Sequence, residues 1–269
     1  MTFRSLMLAS LICLTPEPTV LAQNAKEVIS LQVLIGARRN PDRHIAGLLI
    51  QLKPGWKTYW RAPGEAGIQP HFDWSGSKNL AAVKVLWPRP VVFYQYGMRS
   101  IGYDTNVVLP LEIKPLRAGE PITLSAAVNL GVCDDICIPV QTDFSEVLPA
   151  GKVPLDHRIK KALNQQPKTA LVAKLREHSC DFSDTADGLV LRVKLNMPSA
   201  GAPEEAVIET SNPLIWVEPP KTRRKGPKLT LQAQLIHSTG GAFALPRDDL
   251  RITVLGTDYA VDIKGCSND

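Results

Sequence analysis

The chain has 269 residues, of which 44% are hydrophobic and 21% charged, and its formal net charge is +5. This composition excludes an intrinsically disordered chain and a chain embedded in a membrane throughout, and it supplies enough apolar residues for a core. So modest a charge gives no indication of nucleic acid as a partner. The 22 prolines and 18 glycines favour short strands and turns over long helices, so the composition predicts a mainly β protein.

The first 22 residues have the pattern of a cleaved secretory signal peptide. A basic start at Arg4 precedes an apolar run over residues 6–14, which is too short to span a bilayer, and Ala22 is a small residue that suits signal peptidase. No later segment reaches the roughly 18 uninterrupted apolar residues that a spanning helix needs. We therefore expect an exported protein whose mature chain starts near Gln23.

Short apolar segments with alternating polar positions predict strands in the first half of the mature chain. A turn is predicted at residues 38–42, and an aromatic loop at residues 91–102. The predicted strands cover residues 27–35, 44–52, 70–74, 80–87, 107–113, 122–130 and 138–147. Short strands at such regular spacing predict a β-sandwich.

The composition shifts after Pro149, and we place a domain boundary near residue 150. Apolar positions at helical spacing over residues 155–177 predict one or two amphipathic helices, interrupted at Pro167. The charged stretch over residues 221–228 predicts a basic surface loop. Further strands are predicted at residues 189–195, 206–209, 214–217, 229–236, 250–255 and 259–263.

This pattern predicts two domains after the signal peptide. A β-sandwich occupies residues 23–150. A short helical connector and a second, smaller β-rich domain occupy residues 151–269.

Four cysteines follow the predicted signal peptide: Cys133, Cys137, Cys180 and Cys266. An exported protein can keep disulfides, but four cysteines allow three connectivities and the sequence alone cannot choose among them. A bridge between Cys180 and Cys266 would close a long loop and contribute at most about 4–5 kcal/mol to stability, so we expect a structural disulfide there. A bridge between Cys133 and Cys137 would remove far less chain entropy, and its presence would need a chemical reason.

The segment GVCDDICIPV (residues 131–140) predicts a hairpin with a three-residue loop and the two cysteines facing each other at its base. Cross-strand Cα atoms lie about 4.5–5.5 Å apart, which suits a disulfide. A bridge at a loop tip is accessible to other thiolates, so a redox-active pair is one interpretation and a structural clip is the other. A metal site is disfavoured, because two thiolates need two further ligands and the nearest histidine, His157, lies across the predicted boundary.

The two loop aspartates, Asp134 and Asp135, set the expected character of a redox pair. A carboxylate beside a thiol disfavours the thiolate and raises the thiol pKa, so the reduced pair would react only when a docking partner changes its surroundings. Aspartate is also a common turn former, and a purely conformational role for both residues stays open.

Three segments occur in the order GWKTYWRAPGEAG (residues 55–67), FYQYG (93–97) and CDDICIP (133–139). Together they resemble the N-terminal periplasmic domain of the DsbD family of thiol:disulfide interchange proteins, in particular its ScsB-like branch of copper-tolerance reductases. The resemblance covers about residues 27–147 and implies an immunoglobulin-like domain that acts by thiol–disulfide exchange. We expect neither a cofactor nor a metal.

The resemblance also implies roles for individual residues. Cys137 would form the mixed disulfide with a partner protein, and Cys133 would resolve it. An aromatic cap loop, represented here by Phe93, Tyr94 and Tyr96, would shield the pair until a partner arrives.

The same resemblance implies a protein-disulfide reductase in the periplasm. Its electron donor would be a membrane-embedded thiol reductase, and its acceptors would be periplasmic thioredoxin-like or disulfide-isomerase proteins. Copper tolerance and cytochrome c biogenesis are the settings in which the family works. Family members usually carry membrane helices and a C-terminal thioredoxin domain, and this chain has neither, so we expect the donor to be a separate protein.

Two other functions stay open on the sequence alone. Soft thiolates suit Cu(I), so the cysteine pair would also serve a copper-binding module. The chain would alternatively be an interaction module with two structural disulfides. Trp56, Tyr59 and Trp60 are predicted to pack in the core rather than to form a ligand site.

Overall fold

The structure is a computed structural model that describes residues 25–40 and 42–267. The predicted signal peptide lies outside the described residues. None of the helices in the described part of the chain combines the length and the apolar character required to span a bilayer.

The first half of the chain begins with the short helix α1 (Ala25–Val28) and continues in antiparallel strands. These strands are β1 (Ile29–Leu34), β2 (Arg38–Asn40), β3 (Arg43–Leu52), β4 (Lys57–Gly64), β5 (His71–Asp73), β6 (Leu80–Val85), β7 (Val91–Gln95), β8 (Met98–Tyr103), β9 (Val107–Pro115), β10 (Ile122–Cys133) and β11 (Cys137–Leu148).

These strands form two sheets that enclose one core. One sheet has the order β1-β3-β9-β6 with β2 on β3, and the other has the order β11-β10-β4-β8-β7 with β5 on β10. Alternate residues of each strand point inward, and fully buried side chains from both sheets meet, among them Leu48, Trp60, Leu109 and Leu124. The mainly β, immunoglobulin-like sandwich predicted from the sequence is confirmed.

Two local predictions for this half were wrong. The predicted aromatic loop at residues 91–102 is the hairpin of β7 and β8, which we call the cap hairpin. Its turn is Tyr96-Gly97, with φ values of 50° and 80°, and two positive φ angles are what a two-residue hairpin turn of type I′ requires. The predicted turn at residues 38–42 contains β2, which pairs with β3.

The helical connector is shorter than predicted. Helix α2 (His157–Asn164) is capped at its N-terminus by Asp156, whose Oδ1 accepts a hydrogen bond of 2.8 Å from the backbone N–H of Arg158. Its Ile159 is fully buried and packs beside Ile45 of β3. The prediction of a second helix beyond Pro167 was wrong. Leu171 in this segment is 86% exposed, so its side chain does not pack in a core.

The second half also consists of two sheets. Their orders are β12-β20-β19-β15 and β13-β14-β18-β16, with β17 on β18. The strands are β12 (Lys168–Thr169), β13 (Glu177–Thr185), β14 (Gly188–Asn196), β15 (Glu205–Glu209), β16 (Ile215–Val217), β17 (Lys221–Lys225), β18 (Lys228–His237), β19 (Arg251–Leu255) and β20 (Ala260–Lys264).

Two features of this half differ from the prediction. Strands β12 and β13 were not predicted. The predicted basic loop at residues 221–228 contains β17, a charged strand paired on one side, and its Arg224 turns inward to bind Glu204.

A disulfide joins Cys180 of β13 to Cys266 beyond β20, with 5.8 Å between their Cα atoms. Both cysteines are buried in the core of the second half. The bond therefore ties the last described residues of the chain to the first long strand of this half.

Strands of each half pair within their own half, and side chains bridge the two halves. Arg61 of β4 makes a bidentate ion pair with Glu209 of β15, at 3.0 and 2.8 Å. Arg99 of β8 binds Glu205, which also lies on β15, at 2.9 Å. The domain boundary near residue 150 stays a prediction, which this pairing pattern supports.

We expect one buried histidine to make the fold sensitive to acid. His44 of β3 is fully buried, and burial together with the positive charge of Arg38 lowers its pKa to about 4. The unfolded imidazole titrates near 6.5, so the unfolded chain takes up a proton first as the pH falls. The stability that His44 contributes is therefore complete above about pH 6.5 and is lost toward about pH 4.

From about pH 7 to about pH 5 this loss amounts to about 2 kcal/mol in the free energy of unfolding. Chemical denaturation at both pH values measures it, and His44→Leu should remove this part of the pH dependence. If the variant keeps the full loss, other groups cause the acid sensitivity.

Candidate redox site

The register between β10 and β11 places the two cysteines opposite each other at the end of their hairpin. Cys133 pairs with Cys137, a disulfide joins them, and their Cα atoms lie 4.1 Å apart. Residues 134–136, which we call the redox loop, connect the two strands. The hairpin geometry expected from the sequence is thus present.

The two cysteines differ in exposure. Cys133 is fully buried, whereas Cys137 and the redox loop are exposed, and Ile136 is 73% exposed. An incoming thiolate must reach a sulfur atom to exchange with it. The exposure therefore favours attack at Cys137, with Cys133 as the leaving sulfur.

Tyr59 of β4 lies beside the disulfide. Its hydroxyl is 3.3 Å from Sγ of Cys137, and its ring packs against Gly131, where an added Cβ would lie 2.9 Å from Cε2 of the ring. Gly131 lies two residues before Cys133 on β10, so its missing side chain makes room for the ring beside the disulfide. Burial raises the pKa of Tyr59, so the hydroxyl keeps its proton and donates to the sulfur.

Tyr59 is buried, at 1% exposure, as predicted for a core residue, but its hydroxyl also contacts Sγ of Cys137. The sequence could not show this contact. It depends on β4 lying next to β10, where Cys133 pairs with Lys57 and Val132 with Thr58.

The cap hairpin covers Cys133 through a polar side chain. Nε2 of Gln95 donates to Sγ of Cys133 at 3.1 Å and to the carbonyl oxygen of Asp134 at 2.9 Å. The hydroxyl of Tyr96 donates to the carbonyl oxygen of Asp135 at 2.5 Å. The tip of the cap hairpin therefore binds both the buried sulfur and the redox loop.

The predicted cap residues Phe93, Tyr94 and Tyr96 make three different kinds of contact. Phe93 stacks on Tyr59 with 6.3 Å between ring centroids, and so supports the ring that contacts Cys137. Tyr94 points to the second half of the chain, where its hydroxyl lies 3.4 Å from Oε1 of Glu205. Tyr96 binds the redox loop through its hydroxyl, and its ring is largely exposed.

Charges of both signs lie next to the pair. Lys57 is the cross-strand neighbour of Cys133, and its Nζ donates to the carbonyl oxygen of Gly55 at 3.3 Å. The carboxylate of Asp134 leans over Gly55, because both of its oxygens would lie 3.5 Å from a Cβ added there. A role for Asp134 and Asp135 in tuning the thiols stays a prediction, and Lys57 adds an opposing positive charge.

Among the residues that the structure describes, no group of three or more histidine, cysteine, aspartate and glutamate side chains could hold a metal ion. The site instead brings together a disulfide with one exposed cysteine, a tyrosine donor, an amide donor and a covering hairpin. This arrangement suits exchange between the disulfide and thiols of other proteins.

The fold and this site define a class of protein, an immunoglobulin-like domain with a disulfide at a hairpin end. Residues 26–149 match the family described as thiol:disulfide interchange protein DsbD, N-terminal. This match supports a thiol:disulfide interchange domain in this part of the chain. The family resemblance expected from the three sequence segments is confirmed.

A solved structure extends the comparison to both halves of the chain. The crystal structure of the N-terminal periplasmic domain of ScsB from Proteus mirabilis superposes with a TM-score of 0.70 at 22% sequence identity. The match covers 90% of this chain and 95% of that one, so the two share a fold. No curated protein sequence matches the chain.

We expect the hydroxyl of Tyr59 to activate Cys137. In a Cys133→Ala background, Tyr59→Phe should slow alkylation of the Cys137 thiol by iodoacetamide about two- to tenfold, because the thiolate loses one neutral hydrogen-bond donor. Tyr103→Phe is the matched control, since this buried hydroxyl donates to the carbonyl oxygen of Pro88 at 2.9 Å, away from the cysteines. Equal rates in both tyrosine variants would contradict the assignment.

Proposed function

We propose that the chain is a periplasmic protein-disulfide reductase module that carries electrons on Cys133 and Cys137. The observation that carries this proposal is the disulfide at the end of the β10–β11 hairpin, with one cysteine buried under the cap hairpin and the other exposed. The domain family, whose described activity is thiol:disulfide interchange, supports it.

In the proposed reaction the reduced pair gives two electrons to an oxidised partner protein. The Cys137 thiolate attacks the partner's disulfide, and one partner sulfur leaves as a thiolate that takes up a proton. The Cys133 thiolate then attacks Sγ of Cys137 and releases the second partner sulfur, also as a thiolate that is protonated. The pair ends as the disulfide seen in the structure, and the partner ends as a dithiol.

The donor step restores the dithiol by the same chemistry in reverse. A thiolate of the electron donor attacks Sγ of Cys137 and Cys133 leaves as a thiolate, after which the donor's second thiolate attacks the mixed disulfide. The N–H of Gln95 already points at Sγ of Cys133 and so stabilises the negative charge that develops there. The donor is oxidised to a disulfide in this step.

The surface around Cys137 suits protein partners rather than small solutes. Three apolar side chains at the tips of the two hairpins are exposed: Ile136 at 73%, Tyr96 at 78% and Met98 at 43%. Aromatic residues and methionine are enriched where proteins dock. A partner that buries these side chains would also move the cap hairpin away from the disulfide.

The proposed donor is a separate, membrane-embedded thiol reductase, and the proposed acceptors are periplasmic thioredoxin-like or disulfide-isomerase proteins. The periplasmic location rests on the predicted signal peptide and on the fold shared with a domain described as periplasmic. Copper tolerance and cytochrome c biogenesis are the two settings that the family resemblance offers. Cys180 and Cys266 keep a purely structural role in this proposal.

The two cysteines should respond differently to substitution. Cys137→Ala should abolish exchange with an oxidised thioredoxin-like protein, because it removes the sulfur that a partner can reach. Cys133→Ala should accumulate a partner-linked species, because nothing resolves the mixed disulfide. Non-reducing electrophoresis of the mixtures checks both outcomes, and full activity in both variants would falsify the assignment.

Titration against glutathione buffers, with the fraction of disulfide read by mass spectrometry, separates a carrier from the alternatives. We expect a reversible midpoint for Cys133 and Cys137, while Cys180 and Cys266 stay oxidised in the core. A pair that glutathione cannot reduce would indicate a structural clip. Stoichiometric Cu(I) bound tightly by the reduced protein, without any exchange, would indicate a copper-binding module.

A further inference from the structure

A carboxylate of the second half holds the cap hairpin near its tip. Oε2 of Glu205 on β15 accepts a hydrogen bond of 2.9 Å from Nε of Arg99, and Oε1 lies 3.4 Å from the hydroxyl of Tyr94. Tyr94 and Arg99 are cross-strand partners on β7 and β8, and the next pair toward the tip contains Gln95. One side chain thus binds both strands of the cap hairpin, one residue pair from the amide that covers Cys133.

The ion pair between Arg99 and Glu205 is largely shielded from solvent. The side chain of Arg99 is only 8% exposed and that of Glu205 is 29% exposed. Nη2 of Arg99 also donates to the carbonyl oxygen of Ala206 at 3.0 Å, and its backbone N–H donates to Oε2 of Glu65 at 2.9 Å. A charge-assisted hydrogen bond in such surroundings fixes the position of the guanidinium, and breaking it leaves a buried charge unpaired.

The cap hairpin contacts the parts of the site that rearrange when the disulfide opens. The two sulfurs separate when the bond breaks, and the redox loop that joins them must then relax. Gln95 and Tyr96 bind the carbonyl oxygens of Asp134 and Asp135, so a fixed cap hairpin also fixes the redox loop. Whatever holds the stem of the hairpin therefore slows the motion that exposes Cys133 and lets the redox loop relax, in reduction and in oxidation alike.

We propose that Glu205 is a positioning residue through which the second half of the chain controls the reactivity of Cys133 and Cys137. This proposal rests on the proposed function, because it assigns a regulator to the same disulfide. Binding of a partner to the second half near Glu205 would release the cap hairpin and open the site.

The structure offers a matched control for this proposal. Glu209 lies on the same strand as Glu205 and makes a bidentate ion pair with Arg61, which joins the same two halves. Arg61 lies on β4 and not on the cap hairpin. Glu205→Gln and Glu209→Gln therefore each remove one charge from the contact between the halves, but only the first should affect the cap.

The experiment measures the rate at which dithiothreitol reduces the Cys133–Cys137 disulfide in the full chain. We expect the disulfide of Glu205→Gln to be reduced about tenfold faster than that of the unchanged protein. Losing one charge-assisted hydrogen bond shifts the equilibrium between the closed and the open cap hairpin by about that factor. Glu209→Gln should stay within about twofold of the unchanged protein, because its partner Arg61 lies on β4 and not on the cap hairpin. The redox midpoint should stay the same in both variants, since a cap that gates access changes forward and reverse rates together.

Tyr94→Phe keeps the proposal testable if Glu205→Gln fails to fold. It removes only a hydroxyl from a side chain that is 63% exposed, and we expect a smaller acceleration in the same direction. Unchanged rates in Glu205→Gln and Tyr94→Phe, or equal acceleration in Glu209→Gln, would overturn the role of Glu205 and leave the proposed function intact. A disulfide that dithiothreitol cannot reduce in any variant would overturn both.

Discussion

The antiparallel register of β10 and β11 ends with Cys133 opposite Cys137, and the redox site is built around that pairing. The side-chain period of a strand is two, so a shift of β11 by one residue would turn Cys137 to the opposite face and separate it from Cys133 and Tyr59. The register is held by the buried face of β10, where Leu124, Val128 and Val132 enter the core. The position of the disulfide thus follows from core packing.

The neighbours of the disulfide divide into a fixed side and a movable side. Tyr59 belongs to β4, inside the sheet, and its ring packs on Gly131, so this donor cannot leave Cys137 without disturbing the core. Gln95 and Tyr96 belong to a hairpin tip that is bound by a few polar contacts. A site with one rigid donor and one removable cover can protect a disulfide at rest and expose it when a partner binds.

The second half contacts the candidate site through the cap hairpin. Its two sheets have a core of their own and a buried disulfide, which makes them a firm support. Glu205 extends from that support to the cap hairpin, while Glu209 and Arg61 hold the halves together away from the cap. A rigid second half would explain why the first domain is followed by further β structure that contains neither Cys133 nor Cys137.

The sequence by itself determined the β class, the hairpin that brings Cys133 to Cys137, and the family that residues 26–149 match. These features depend on local patterns, namely strand alternation, turn residues and short motifs, which are legible along the chain. The cap hairpin was predicted as a loop, because the type I′ turn at Tyr96-Gly97 lacks the usual asparagine or aspartate at its first position.

Only the tertiary structure decided which side chains surround the disulfide. Tyr59 reaches Cys137 because β4 lies next to β10, Gln95 covers Cys133 because the cap hairpin folds back, and Glu205 arrives from a strand far along the chain. Such neighbours are set by sheet order and by the packing of one half on the other. Sheet order and the packing of the halves depend on the burial of many side chains along the whole chain, so no short stretch of sequence determines them.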